Sequence, residues 1–145
     1  MGRGITTSRV RVRCVRRPAG AGPPPDRFVE TNVGNETLVT DSLTGLMWQG
    51  SAASSRRWSA ALGYCESLTY AGFSDWRLPR KKALESLVDF TRTGPASAFP
   101  NMTSDSFWSS TTAVRNSIDG WPVNFGNGGG DSSGKPLSFA VRCVR

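Results

Sequence analysis

Apolar residues recur at the three- and four-residue spacing of a helix in only two stretches of this chain. In "SRRWSAALGYCESL", Trp58, Ala61, Leu62, Cys65 and Leu68 share one face, which turns Cys65 toward the interior. In "LPRKKALESLVDF", Pro79 suits a first helical turn, and Leu84, Leu87 and Val88 form the buried side. Outside these stretches 16 Gly and 9 Pro interrupt the chain, so loops and short strands outweigh helices. A length of 145 residues with 37% hydrophobic content fits a single globular unit with one packed core.

The strand signals lie at the two ends of that unit. In "RFVETNVGNETLVTDSLTGLMWQ", Val33-Gly34-Asn35 reads as a hairpin turn and Leu38-Val39 begins a strand. "DSLTG" then turns the chain before Leu46, Met47 and Trp48, which gives a short antiparallel meander. A turn at Gly72 leads to a short strand around Trp76-Arg77-Leu78, with Asp75 read as a buried hydrogen-bonding group that holds the turn. Near the C-terminus, "WPVNF" places Trp121, Val123 and Phe125 on one face and Pro122, Asn124 and Gly126 on the other. "LSFAVRCVR" sets Phe139, Val141 and Cys143 opposite Ser138, Ala140 and Arg142. Between these strands, the side chains of Gly126 to Gly134 are expected to contribute little to folding.

The net charge of +7 is concentrated at one end. Residues 1–20 hold six Arg and no acid, whereas residues 21–145 hold 12 Lys/Arg against 11 Asp/Glu. A basic arm is either solvated or strand-forming, or it contacts phosphates or an acidic partner; the domain itself carries no nucleic-acid signature. Within residues 1–17, Val10, Val12 and Cys14 alternate with Arg11 and Arg13 as in a strand, and "RPAGAGPPPDR" is an extended linker. Residues 1–26 therefore read as arm and linker, and residues 27–145 as the domain.

No window reaches the roughly 18 apolar residues of a membrane span, and the basic start lacks the apolar core of a signal peptide. The chain reads as soluble, not inserted in a membrane and cytoplasmic as synthesised, with display on a phage particle or cell surface left open. Without any His, Ser-His-Asp and Cys-His catalysis and histidine metal ligation are excluded. Cys14, Cys65 and Cys143 match no zinc spacing, and Asp119, Asn124 and Asp131 are too few and scattered for calcium. No metal site and no cofactor are expected.

Seven motifs in order, "TDSLTGLMW", the helix with Trp58 and Cys65, "DWRLP", "FPN", "FWSST", "WPVNF" and "VRCVR", resemble the C-type lectin-like domain at the C-terminus of the Legionella collagen-like adhesin. They are also similar to the variable proteins of diversity-generating retroelements. The resemblance covers about residues 27–145 and implies an α+β fold. Two helices would pack on small twisted antiparallel sheets, with the first and last strands side by side. It also implies a disulfide between Cys65 and Cys143; two buried free thiols are the alternative. Closing so long a loop would stabilise the domain by about 4–5 kcal/mol in the chain-entropy model.

In the retroelement branch, unfaithful copying of template adenines varies chosen codons near the end of the gene, here about residues 107–145. Trp108, Ser109, Ser110, Trp121, Val123, Phe125 and the terminal "VRCVR" would be scaffold. The varied, ligand-contacting face would comprise Ala113, Val114, Arg115, Asn116, Pro122, Asn124, Gly126, Ser132, Ser133 and Leu137. Such a protein is not an enzyme, and its partner is a protein or other macromolecule. The alternative is an invariant adhesin for glycosaminoglycan or matrix, which needs clustered cations; the C-terminal third offers only Arg115, Lys135, Arg142 and Arg145. The remote alternative is an enzyme of the formylglycine-generating type, whose related fold uses paired reactive cysteines. A second "VRCVR" at residues 12–16 reads as the closing strand of a preceding copy, or as an arm that adds to a sheet edge and mediates self-association, with Cys14 buried or bridging chains.

Overall fold

The computed structural model describes residues 26–114 and 116–145. The expectations for the basic arm, its "VRCVR" copy, Cys14 and Arg115 fall outside the described residues. An opening meander pairs β1 (Phe28–Val33), β2 (Glu36–Asp41) and β3 (Met47–Gln49) in that order. Val33 pairs with Glu36, so Gly34 and Asn35 form the two-residue turn that the sequence predicts, with Gly34 at φ 62°. The next turn closes where the Gly45 amide donates to the Asp41 carbonyl at 2.8 Å.

The second sheet runs in the order β4 (Ala53–Arg56), β8 (Phe139–Val141), β5 (Ser106–Thr112), β6 (Asp119–Asn124), β7 (Ser133–Gly134). Its pairing is antiparallel except between β5 and β8, which run parallel where Phe107 meets Ala140. Two helices complete an α+β fold: α1 (Trp58–Glu66) and α2 (Lys81–Glu85). In α1, Ala61 and Cys65 lie one turn apart and are fully buried, as their spacing predicts. The second helix ends three residues before the predicted Val88, because the Leu87 and Val88 amides bond only three residues back, to Leu84 and Glu85. Leu84 and Leu87 still reach the core.

Two apolar clusters fill the interior. Val39, Trp48, Leu84, Phe99, Phe107, Val123 and Phe125 belong to one; Ala61, Cys65, Trp76, Leu78, Trp108, Val141 and Cys143 belong to the other. Phe107 and Trp108 are neighbours on β5 and enter opposite clusters, so both faces of this sheet are covered. That arrangement corrects the expectation of one inner face per strand. Ala140 and Arg142, expected outward, are buried, because β8 lies between β4 and β5 with a cluster on either side. Phe139 and Trp121, expected inward, are only half-buried.

The last residues tie the two sheets together. Met47 and Arg145 exchange two backbone hydrogen bonds of 2.8 Å, and Val144 bridges to both Trp48 and Arg77. The C-terminal strand thus lies beside the opening meander through β3. Cys65 and Cys143 form a disulfide across 78 residues, with both side chains buried. The Arg142 guanidinium donates to the carbonyls of Gln49 at 2.6 Å and Gly50 at 2.8 Å and lies over the Phe99 ring. Burial lowers its pKa to about 10. Asp75, expected to be buried, is exposed and pairs with Arg145 through two hydrogen bonds, of 2.5 and 2.9 Å.

Candidate recognition face

The Gly-rich run after β6 is held through its backbone. Asn124 receives Gly128 N–H at its carbonyl and donates its own N–H to the Gly129 carbonyl, both at 2.7 Å. Its side-chain oxygen accepts Gly126 N–H, also at 2.7 Å. Gly128 adopts φ 85°, and a Cβ there would lie 2.7 Å from Phe90 Cε1 and Val88 Cγ1. At Gly130 a Cβ would approach the Pro122 carbonyl oxygen to 2.6 Å. The run is therefore a hydrogen-bonded loop. Its backbone, the Asn124 and Asn127 side-chain oxygens and the space left by missing Cβ atoms hold it, whereas the expectation concerned side-chain packing alone.

This loop walls a groove of about 370 Å³ lined by Ser106, Pro122, Asn124, Asn127, Gly129, Gly130, Asp131, Ser133 and Phe139. Asp131 is the only ionisable side chain in that lining. Hydroxyl, amide and carboxylate groups thus surround an apolar floor formed by Pro122 and Phe139. Chemically, such a lining offers hydrogen bonds to a polar ligand and one negative charge to a cation.

Of the predicted site residues, Pro122, Asn124 and Ser133 meet in the groove. Val114 and Asn116 are exposed at the tip of the β5–β6 hairpin, where the Ala113 amide donates to the Asp119 carbonyl at 3.0 Å. Leu137 is exposed in the turn before β8, and Ser132 is half-buried. Ala113 and Pro122 are buried, contrary to the outward placement expected of them. Ala113 closes the hairpin, and Pro122 pairs with the buried Trp108 in a sheet covered on both sides. Gly126 is also constrained, since a Cβ would lie 3.0 Å from Asn124 Oδ1. Asn127, Asp131, Ser106 and Phe139 line the groove without having been singled out; the first two stand in the Gly-rich run, whose polar side chains were the available signal.

A second concavity, of about 430 Å³, lies on the β5 side of the same hairpin, next to its turn, and is lined by Arg77, Arg80, Lys81, Lys82, Ala83 and Thr111. The Lys81 amide donates to Thr111 Oγ1 at 3.0 Å, which fixes the start of α2 against β5. Lys81 Nζ is 3.7 Å from Glu85 and lies over the Trp121 ring. Among the described residues, Arg77, Arg80 and Lys82 form no ion pair. Counting cations only in the C-terminal third overlooked this cluster, although "RKK" at residues 80–82 was the available sign.

Cys65 and Cys143 are bonded to each other and buried, so neither offers the thiolate that paired-cysteine catalysis needs. Among the described residues, no three His, Cys, Asp or Glu side chains are grouped to hold a metal ion. A model of the family described as the Lcl C-terminal domain matches residues 37–145. A search of curated proteins found no match.

Proposed function

We propose, from the premise that the chain belongs to the Lcl C-terminal domain family, that it is a non-enzymatic, adhesin-like binding domain of C-type lectin-like fold. Its recognition face comprises the groove beside β6, the β5–β6 hairpin tip and the turn before β8. The observation that carries this reading is a division of labour along one segment. Val123 and Phe125 are buried in the core, while Asp131 and Ser133 line an open groove beside a run held by backbone hydrogen bonds and by the Asn124 and Asn127 side-chain oxygens. Side chains that do not hold the fold are free to specify a macromolecular ligand.

The finer form of the proposal is that this face is a retroelement target whose codons vary among descendants. The exposed set Val114, Asn116 and Leu137 supports it, together with the half-buried Ser132 and Ser133. Ala113, Pro122, Asn124 and Gly126 are expected to vary less, since burial or a close contact restricts each. Sequencing the gene's surroundings and its sibling genes tests this. The expected result is a near-copy of the 3′ segment beside a reverse transcriptase gene, with differences concentrated at the exposed codons. Differences spread evenly through Trp108, Val123 and Phe125 would refute it.

The cationic concavity favours a second reading, attachment to a sulfated polymer. Arg77, Arg80, Lys81 and Lys82 supply the clustered charge that such a ligand requires. Salt-sensitive binding that disappears on Arg80→Gln with Lys82→Gln would support attachment there.

A further inference from the structure

We propose that the β5–β6 hairpin tip and the cationic concavity beside it form one docking surface for an anionic lipid bilayer. Val114 is 99% exposed, Ile118 67% and Leu137 54%. Lys135 links them: its N–H donates to the Ile118 carbonyl at 2.9 Å and its Nζ to the Ser117 carbonyl at 2.7 Å. Three large apolar side chains exposed on two turns that these bonds join differ from the scattered singles usual on a soluble surface.

Cations flank this tip on both edges of the hairpin. On the β5 side, Thr111 lines the cationic concavity and precedes Val114 by three residues, so the two lie within about 11 Å along the chain. On the β7 side stands Lys135, whose carbonyl accepts from Trp58 N–H and so brings the exposed Arg57 close. The acids nearby include Glu85, already 3.7 Å from Lys81, Asp75, which lies within reach of the Arg77 charge but is paired with Arg145, and Asp119 at the start of β6. Residues 114–118 contain no acid. An apolar point ringed by lysine and arginine matches a bilayer surface: the point enters the acyl boundary while the cations stay among anionic headgroups. A soluble polyanion would engage the cations and leave Val114 and Ile118 in water. Among the described residues no helix is long and apolar enough to cross a membrane, so the surface lies on the bilayer.

This inference does not rest on the groove beside β6, and it requires an apolar residue at 114 and 118, so it stands apart from the reading in which codon 114 varies freely. The full chain is sedimented with vesicles of phosphatidylcholine alone and of phosphatidylcholine with phosphatidylglycerol. Because the arginines of residues 1–20 add a background, the readout is the difference among variants of the same chain. Val114→Ser with Ile118→Ser is expected to weaken partition into anionic vesicles by about tenfold or more. Arg80→Gln and Lys82→Gln should each weaken it by about fivefold. Ile118→Trp should show blue-shifted emission on anionic vesicles only. Asp131→Ala, in the groove, should change none of these values, which separates this proposal from the groove reading. Partition insensitive to the tip variant, or emission of the Ile118→Trp variant that does not shift, overturns the proposal even where the cations still bind. Far-UV circular dichroism checks that each variant is folded.

Discussion

Arg27 and Asp41 are both buried, so each charge depends on the other. Arg27 Nε and Nη2 reach the two Asp41 oxygens at 2.7 and 2.6 Å, and Nη2 also donates to the Ser86 carbonyl at 2.9 Å. Burial pushes the Asp41 carboxyl up. Hydrogen bonds from Arg27, the Leu43 amide and Thr44, with the Arg27 charge, outweigh that and hold it below the ordinary carboxylate range. The unfolded chain therefore binds the proton more readily. The pair's contribution is complete above the unfolded value near about 3.9 and is lost as pH falls through the lower folded value. Asp41→Asn leaves the guanidinium buried without its counter-charge and should cost about 3–5 kcal/mol in denaturant unfolding at neutral pH. The variant should also show a flatter loss of stability on acidification. Neither this pair nor Arg142 was legible from alternation along the chain. Arg142 is held through Nη1 alone by carbonyls at residues 49 and 50, more than ninety positions away, while its buried Nε and Nη2 have no partner among the described residues; such distant partners leave no local trace.

At the scale of elements, α1, the hairpin at Gly34 and the strands around Trp48 and Val123 were legible, because each has its own period or turn signal. The length of α2 was not, since packing of Leu84 and Leu87 decided where the helix yields. Two-sided burial of β8 was also hidden. A strand of alternating residues does not reveal that its second face meets another cluster. The hydrogen bonding of the loop after β6 was hidden for a related reason, because glycine's role there lies in the atoms that approach it. Gly130→Ala sets a Cβ against the rigid Pro122 carbonyl at 2.6 Å, which a side-chain movement cannot relieve. That substitution should cost about 1–3 kcal/mol and speed hydrogen exchange at the Asn124 and Gly128 amides. Ser132→Ala, in the same loop, should leave both values nearly unchanged.

Across the whole molecule, the disulfide, the buried ion pair and the two clusters all lie behind the recognition face. The Cys65–Cys143 bond joins α1 to the C-terminal strand, and Val144 joins that strand to the opening sheet. The fold is thus closed by its last residues, while Val114, Asn116 and Leu137 stay exposed in turns of the second sheet. This separation, more than any single contact, is what suits the domain to recognition. The exposure of Val114, Asn116 and Leu137 could be read in advance, because nothing in their surroundings along the chain asks for a packed side chain. Ala113 and Pro122 could not, because their burial depends on how the hairpin closes.

Thermal unfolding of a chain altered together at Val114, Asn116, Asp131, Ser132 and Leu137 tests the central claim most directly. With each surface change within about 0.5 kcal/mol, the account predicts one cooperative transition whose Tm stays within several degrees of the parent. A Tm depressed as far as that of Val123→Ala, or a transition that loses its cooperativity, would contradict it.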